Sequence, residues 1–346
     1  MSYQIPSRST TWIVLESVTL LTLDFIILIG NLMICYVIYK RKPLRTMTNM
    51  LIIALALNDL VTACITLPMA TTTSISSRWM FGNPGCQIFG FFSKYLVHVS
   101  LYIITLIALN RYIRIITPSH YRGIFTLKKT LGLLSIIWSI PAVVRLVPVL
   151  TGSARFVFVP RSAACTLSFY EPKSQLPYTI FATVIFIALP MLTIIVCYAS
   201  VNIFVRKHRQ QIFGTPGMTR QPGALRVSVN EVKITYTLFA VAFTFVICWL
   251  PVSVALLFVK AAKVNISTVA VRVLNALVAL SSASTPFVYG VLNRPFRQEF
   301  KKVFPSLFNR ESDRELELNR RDIAIPPRDE LRHNDVIPGI EAQGGE

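Results

Sequence analysis

The side chains of this sequence that could do chemistry are few, and most stand in apolar surroundings. Asp59 closes Leu55-Ala56-Leu57-Asn58-Asp59 inside a long greasy stretch. A carboxylate at that depth is costly and is usually kept for function. Ser100 and Ser281 or Ser282 can reach the same level, and a carboxylate with hydroxyls around it suits a hard cation such as Na+. The competing reading is a protonated Asp59 that only glues helices by hydrogen bonds. Arg111, in Asn110-Arg111-Tyr112, ends another apolar stretch and needs an acceptor or an aqueous opening. Glu231 begins a later stretch at the same level. Either the two pair, giving a contact that can be made and broken, or both face lipid headgroups.

Six cysteines are present. Cys35, Cys64, Cys197 and Cys248 fall inside apolar stretches and read as small buried hydrophobes. Cys86 and Cys165 lie outside them, on one side of the membrane, so a disulfide is the economical assignment, with two free thiols as the alternative. Cys248-Trp249-Leu250-Pro251 joins a large aromatic to a helix kink, with Phe245 one turn earlier as its packing neighbour. A rotamer change at Trp249 beside Pro251 can alter that kink.

These residues must be positioned by membrane helices. The chain has 346 residues, 53% hydrophobic and 15% charged, well below the roughly 25% charged of a soluble domain. Windows of about 20 residues find seven spans at 13–39, 47–75, 87–115, 128–150, 176–205, 232–259 and 267–291. Pro68, Pro141, Pro190, Pro251 and Pro286 lie inside them and predict kinks. The fold class is an all-α membrane protein, a seven-helix bundle. Lys40, Arg41, Lys42, Arg45, Arg122, Lys128, Lys129, Arg206 and Lys207 crowd alternate gaps, so the N-terminus is expected outside and the C-terminus in the cytosol.

The domain plan is therefore an extracellular tail at 1–12, a seven-span unit at 13–292, an amphipathic surface helix at 293–304 and a disordered cytoplasmic tail at 305–346. In the surface helix, Phe296, Phe300, Val303 and Phe304 recur at helical spacing with basic residues between. No signal-peptide pattern precedes the first span, which is expected to act as the insertion signal. Asn265-Ile266-Ser267 matches a glycosylation acceptor on the outer side. The net charge of +19 flanks spans rather than forming a nucleic-acid motif, so anionic lipids and an acidic cytosolic partner are the expected counterparts.

Together these features resemble the rhodopsin-like (class A) G-protein-coupled receptors over about residues 13–304. Gly30-Asn31, Leu55 to Asp59, Cys86, Asn110-Arg111-Tyr112, Trp138, Pro190, Tyr198, the CWLP at 248–251, Pro286 and Tyr289 fall in the family's order. The resemblance implies a plasma-membrane receptor that activates a heterotrimeric G protein, with arrestin and receptor kinases as further partners. It implies a sodium site at Asp59, Ser100 and Ser282. Coupling and latching fall to Arg111, Tyr112, Glu231, Tyr198 and Tyr289, and switching to Trp249, Pro251 and Phe245. Asn110 replaces the usual acid, as in melatonin receptors, and Thr285 replaces the usual Asn or Asp, which together imply a loosely latched resting state with raised basal signalling.

For the ligand, Ser93 stands where amine receptors of the family carry an aspartate, and Ala279 where opsins carry the retinal lysine. Neither an amine so anchored nor retinal is expected, and no cofactor beyond a sodium ion. The outer half is basic: Arg78, Lys94, Arg145, Arg155, Arg161, Lys173, Lys260, Lys263 and Arg272 face Glu16, Asp24 and Glu171. The candidate pocket is Ser93, Lys94, Val97, Arg145, Trp249, Arg272 and Asn275, taking a peptide or small molecule with an anionic group. The alternative is that the basic side chains snorkel to headgroups.

An enzyme would need a reactive constellation, yet Asp59 has no second carboxylate and His98 is the one histidine within a span. A transporter, the alternative function, would be expected to show internal repeats, and none is visible.

Overall fold

The computed structural model describes residues 4–208, 229–261, 267–292 and 296–298. All of these lie in one unit, Met1–Gln298, and a second unit, Glu299–Glu346, lies outside the described residues. Seven helices are long and apolar enough to cross a membrane. They are α1 (Thr10–Lys40), α2 (Met47–Ser76), α3 (Gly82–Ile116), α4 (Leu127–Leu150), α5 (Pro172–Lys207), α6 (Val229–Ala261) and α7 (Thr268–Leu292). Hydroxyl caps start three of them: Ser9, Thr46 and Thr126 accept from the backbone N–H groups of Trp12, Asn49 and Lys129, satisfying donors that the first helical turn leaves open.

The helices continue through their prolines, Pro141 and Pro148 in α4, Pro251 in α6 and Pro286 in α7. A single turn of π-helix, Thr62–Thr66, comes just before Pro68, and another, Val184–Ala188, just before Pro190. The wider turn makes room for a residue that removes a donor and crowds the carbonyl four positions back. At the second bulge the Tyr102 hydroxyl of α3 donates to Ile185 O at 2.8 Å, so a carbonyl is satisfied from a neighbouring helix.

α3 runs through the middle of the bundle against α2, α4, α5 and α6. α4 is peripheral and buries only Thr130, Leu134, Pro141 and Arg145. α1 closes on α7 where Gly30 faces the ring of Pro286, with no space left for a β-carbon.

The seven-helix expectation holds, with one short β element added to it. Between α4 and α5 the chain forms an antiparallel hairpin, β1 (Ala154–Val159) on β2 (Ala164–Phe169), with Phe158 opposite Cys165. Its Phe156, Phe158 and Leu167 pack with Trp79, Phe89, Cys86 and Cys165 in one apolar cluster. Phe156 sits directly on Gly90 of α3, where any side chain would collide with it. The described part of the tail expected at 1–12 packs on the bundle. Ile5 is buried in the same cluster, Ile5 N–H donates to Ser77 O at 3.0 Å, and helix already begins at Thr10.

Of the surface helix expected at 293–304, only 296–298 is described; it is helical, and Phe296 packs on Tyr289 with ring centroids 5.3 Å apart. The glycosylation motif at Asn265, the loop at 209–228 and the tail at 305–346 lie outside the described residues.

Candidate functional site

Three polar layers are stacked along α3. The first lies at the hairpin end. Cys86, in the first turns of α3, is disulfide-bonded to Cys165 of β2, with Cα atoms 5.5 Å apart. The hairpin is tied again by Asn275 of α7, whose amide donates to Ser162 O at 3.1 Å. Below it, Lys94 and His98 are four residues apart on α3 and so share a face. Arg145 enters from α4, and it is close enough to both for their charges to interact. The Lys94 ammonium lies 5.8 Å from the Trp249 ring centroid, and His98 stacks on Phe186 of α5 at 4.7 Å and 7°. Arg145 Nε and His98 Nδ1 are buried and have no protein partner.

Two candidate pocket residues belong elsewhere. Arg272 pairs with Glu16 of α1 at 2.8 Å, and Arg8 closes on the other oxygen of the same carboxylate. Arg8 also donates to Ser74 O at 2.8 Å and to Ser77 Oγ at 3.0 Å. Arg272 thus fastens the N-terminal segment to α7 through one nitrogen, while its Nε and Nη2 have no protein partner among the described residues. Asn275 is exposed and engaged by the hairpin turn. Arg155 stacks on Tyr170, 5.4 Å from its ring centroid. Of the candidate pocket residues, Lys94 and Arg145 are neighbours, and His98 joins them. Ser93 and Val97 are half-buried on α3, and Ser93 Oγ donates to Gly90 O at 3.4 Å.

The middle layer centres on Asp59, which is 1% exposed. Ser282 of α7 lies beside its carboxyl group, and one carboxyl oxygen has no protein partner among the described residues. Ser281 serves Trp249 instead, accepting from Nε1 at 3.3 Å and donating to Val278 O at 2.7 Å. Ser100 was expected beside Asp59, but it accepts from the Asn58 amide at 2.7 Å, and that amide also donates to Leu96 O at 2.9 Å. Asn58 therefore joins α2 to α3, a role that nothing in its apolar sequence context signals. Phe245 stacks on Trp249 at 5.9 Å and 19°, and Pro251 lies within α6 just beyond. Asp59 is not the only acid within a span: Asp24 sits in α1, with one buried oxygen lacking a protein partner.

The third layer surrounds Arg111, which is 3% exposed. Its Nη1 donates to Glu231 Oε2 at 3.0 Å. Nε and Nη2 donate to Asn110 Oδ1 at 3.1 and 2.6 Å, and Nη2 also reaches Thr48 Oγ1 of α2. Thr48 in turn donates to Asn110 Oδ1 at 3.0 Å. The Asn110 amide donates to Tyr121 on the short helix Pro118–Ile124, at 3.2 Å. Arg114 takes the other Glu231 oxygen at 3.1 Å and lies over the Tyr121 ring, 4.7 Å from its centroid. Tyr198 and Tyr289 are buried, their hydroxyls have no protein partner, and both feel the charge of Arg111. Tyr112 packs against Ile115, Val201, Val205 and Val232, filling the seam of α3 with α5 and α6.

Residues 30–289 match the family described as 7 transmembrane receptor (rhodopsin family). The melatonin receptor type 1A of Phodopus sungorus is 30% identical, covering 81% of this chain and 77% of its own length. The same receptor type of Mus musculus is 28% identical over the same shares. The melatonin receptor type 1B-B of Danio rerio is 28% identical, covering 85% of this chain and 82% of its own.

Proposed function

The chain belongs to the rhodopsin family of seven-transmembrane receptors and is a multi-pass membrane G-protein-coupled receptor, and from that premise we propose how its three layers carry a signal. The N-terminus and the hairpin face outward and the C-terminus inward, at the plasma membrane. The basic residues at the ends of α1 and α5, Lys40, Arg206 and Lys207, support this orientation through their attraction to anionic inner-leaflet lipids.

An extracellular ligand with an anionic group binds above Trp249, beside Lys94 and Arg145. The observation that carries this reading is Arg145: an arginine buried inward from a helix that otherwise faces lipid, with one nitrogen unpartnered. Such a group is retained where something satisfies it. The relatives are named for melatonin, a neutral indole amide, and two facing cations favour an acid over that ligand here.

Ligand contact changes the Trp249 rotamer beside Pro251, the inner end of α6 swings away from α3, and Glu231 leaves Arg111. Tyr198 and Tyr289, whose hydroxyls have no protein partner at rest, then move in beside Arg111, and the opened face receives the G protein. Arrestin and receptor kinases would compete for the same face. The Asp59 carboxyl and the Ser282 hydroxyl suit a sodium ion, since one carboxylate oxygen lacks a protein partner. Bound there, the ion would supply a fixed positive charge between α2 and α7 that favours the resting arrangement.

The experiment is nucleotide exchange on a heterotrimeric G protein with the full chain in membranes, across acidic, neutral and basic ligand classes, melatonin included. Exchange driven by an acid, with weaker response in Lys94→Gln, supports the reading. A response to neutral or basic ligands alone overturns the anionic part.

A further inference from the structure

We propose that Lys94, His98 and Arg145 form one built anion site with an aromatic wall, and that it takes a small molecule bearing a carboxylate on a flat aromatic ring. The inference rests on the anionic-ligand reading above and deepens it. Lys94 and His98 present adjacent turns of α3, and Arg145, buried inward from α4, lies within charge range of both. Three like-charged or chargeable groups brought together in a buried place are unfavourable without an acceptor.

Among the described residues no carboxylate forms a salt bridge with any of the three: Glu16 is taken by Arg8 and Arg272, Glu231 lies at the opposite end with Arg111 and Arg114, and Asp59 lies beside Ser282. Glu171 is exposed at the start of α5. Arg145 Nε and His98 Nδ1 remain without a partner although the residues are only 7% and 4% exposed. A carboxylate answers all three: the guanidinium fork can hold it through two parallel hydrogen bonds, Lys94 adds a point charge, and the imidazole adds a further donor.

The surroundings choose the rest of the ligand. Trp249 lies under Lys94, and the parallel His98–Phe186 pair extends a flat π surface from the same charged cluster. An aromatic ring attached to the acid can lie along these faces. The cover above favours a small molecule over a peptide. The hairpin is pinned by Cys86–Cys165 and by Asn275, and Ile5 is buried among Trp79, Phe156 and Phe158, so a long chain would have to displace both segments.

The test uses the full chain purified in detergent, read by its melting temperature, and the same chain in membranes, read by nucleotide exchange. The probes are benzoate, phenylacetate and naphthoate, their primary amides, and butyrate as an aliphatic acid. At least one aryl acid is expected to raise the melting temperature at millimolar concentration, with its amide and butyrate at least about tenfold weaker. Arg145→Lys and Lys94→Gln should each weaken the aryl acid about tenfold or more. His98→Phe, which keeps the stack on Phe186, should weaken it about fivefold, and Arg272→Gln should leave it unchanged. Melting of each variant without probe reports its folding.

Equal effects of acids and amides, or no shift with any acid, overturn both this site and the anionic reading. Butyrate matching the aryl acids overturns the aromatic wall alone. Unchanged affinity in folded Arg145→Lys and Lys94→Gln overturns the site while leaving an anionic ligand in place. A melting shift without nucleotide exchange upholds the site and makes the probe a ligand that binds without activating.

Discussion

Arg111 and Glu231, 120 residues apart in sequence, meet at 3.0 Å across the seam of α3 and α6. The glutamate is shared: its other oxygen takes Arg114, one turn further along α3, at 3.1 Å. Arg111 is nearly sealed from solvent while Glu231 is a quarter exposed, so one partner stays embedded when the contact breaks and the other can be hydrated. That asymmetry suits a contact which opens by movement of α6.

Glu231→Gln should raise agonist-free nucleotide exchange. A partly buried pair of this kind biases the resting state by about 1 kcal/mol, or roughly fivefold in population. Exchange normalised to surface expression measures it. An unchanged rate would mean that another contact holds α6.

Asn110→Asp should lower agonist-free output, because a carboxylate beside Arg111 adds charge attraction where Asn110 offers only an amide oxygen. The effect is opposed by loss of the amide donor to Tyr121, so a reduction of about threefold is expected rather than complete silence. The matching observation is that wild-type output exceeds an empty-vector control. Equality of the two would remove the idea of a loose resting latch.

Asp59→Asn should abolish any sodium dependence of melting temperature while leaving the chain folded, since the amide still reaches Ser282 but carries no charge. The comparison is sodium chloride against choline chloride at equal ionic strength. A sodium effect persisting in the variant would place the ion elsewhere.

Cys86→Ser should release the hairpin and cost about 2–4 kcal/mol, the usual range for loss of a disulfide, here one that joins cysteines 79 residues apart. Lower melting temperature and surface expression are the readouts. Cys165→Ser should behave alike, and the double variant should add little, because one bond is lost in each case.

Arg272→Gln should destabilise without altering ligand potency, for it breaks the tie from α7 through Glu16 to Arg8. Glu16→Gln in the same chain should add to the loss, since Arg8, which still pairs with Glu16 in the single variant, is then left without a carboxylate. A selective fall in potency with intact melting would return Arg272 to the ligand site.

The helices and their depth were written in the sequence because lipid imposes one rule throughout: about 20 apolar residues per crossing, with charges at the ends. The boundaries therefore agree within a few residues for all seven spans. Asp59 and Arg111 stood out for a related reason, since each breaks a local apolar pattern, whereas Cys86 stood out by lying outside the spans and Trp249 by its place beside Pro251. His98, Asn58 and Thr48 were not, because a single polar residue in a span shows that it is expensive without showing which neighbour satisfies it.

Partnership across helices was decided by the tertiary structure. Arg272 and Asn275 looked inward on α7 until Glu16 and Ser162 were seen to take them. Ser100 looked like a partner for Asp59 until Asn58 came between α2 and α3. The hairpin escaped notice because a six-residue strand leaves little signal in an outer loop, and it forms by pairing with its neighbour and packing on Gly90. Sequence alone determined that this chain carries seven apolar spans long enough to cross a membrane, since the hydrophobic effect acts on each segment independently. Which charges are paired, and that no carboxylate among the described residues forms a salt bridge with Lys94, His98 or Arg145, depends on distances between helices that only the packed bundle defines.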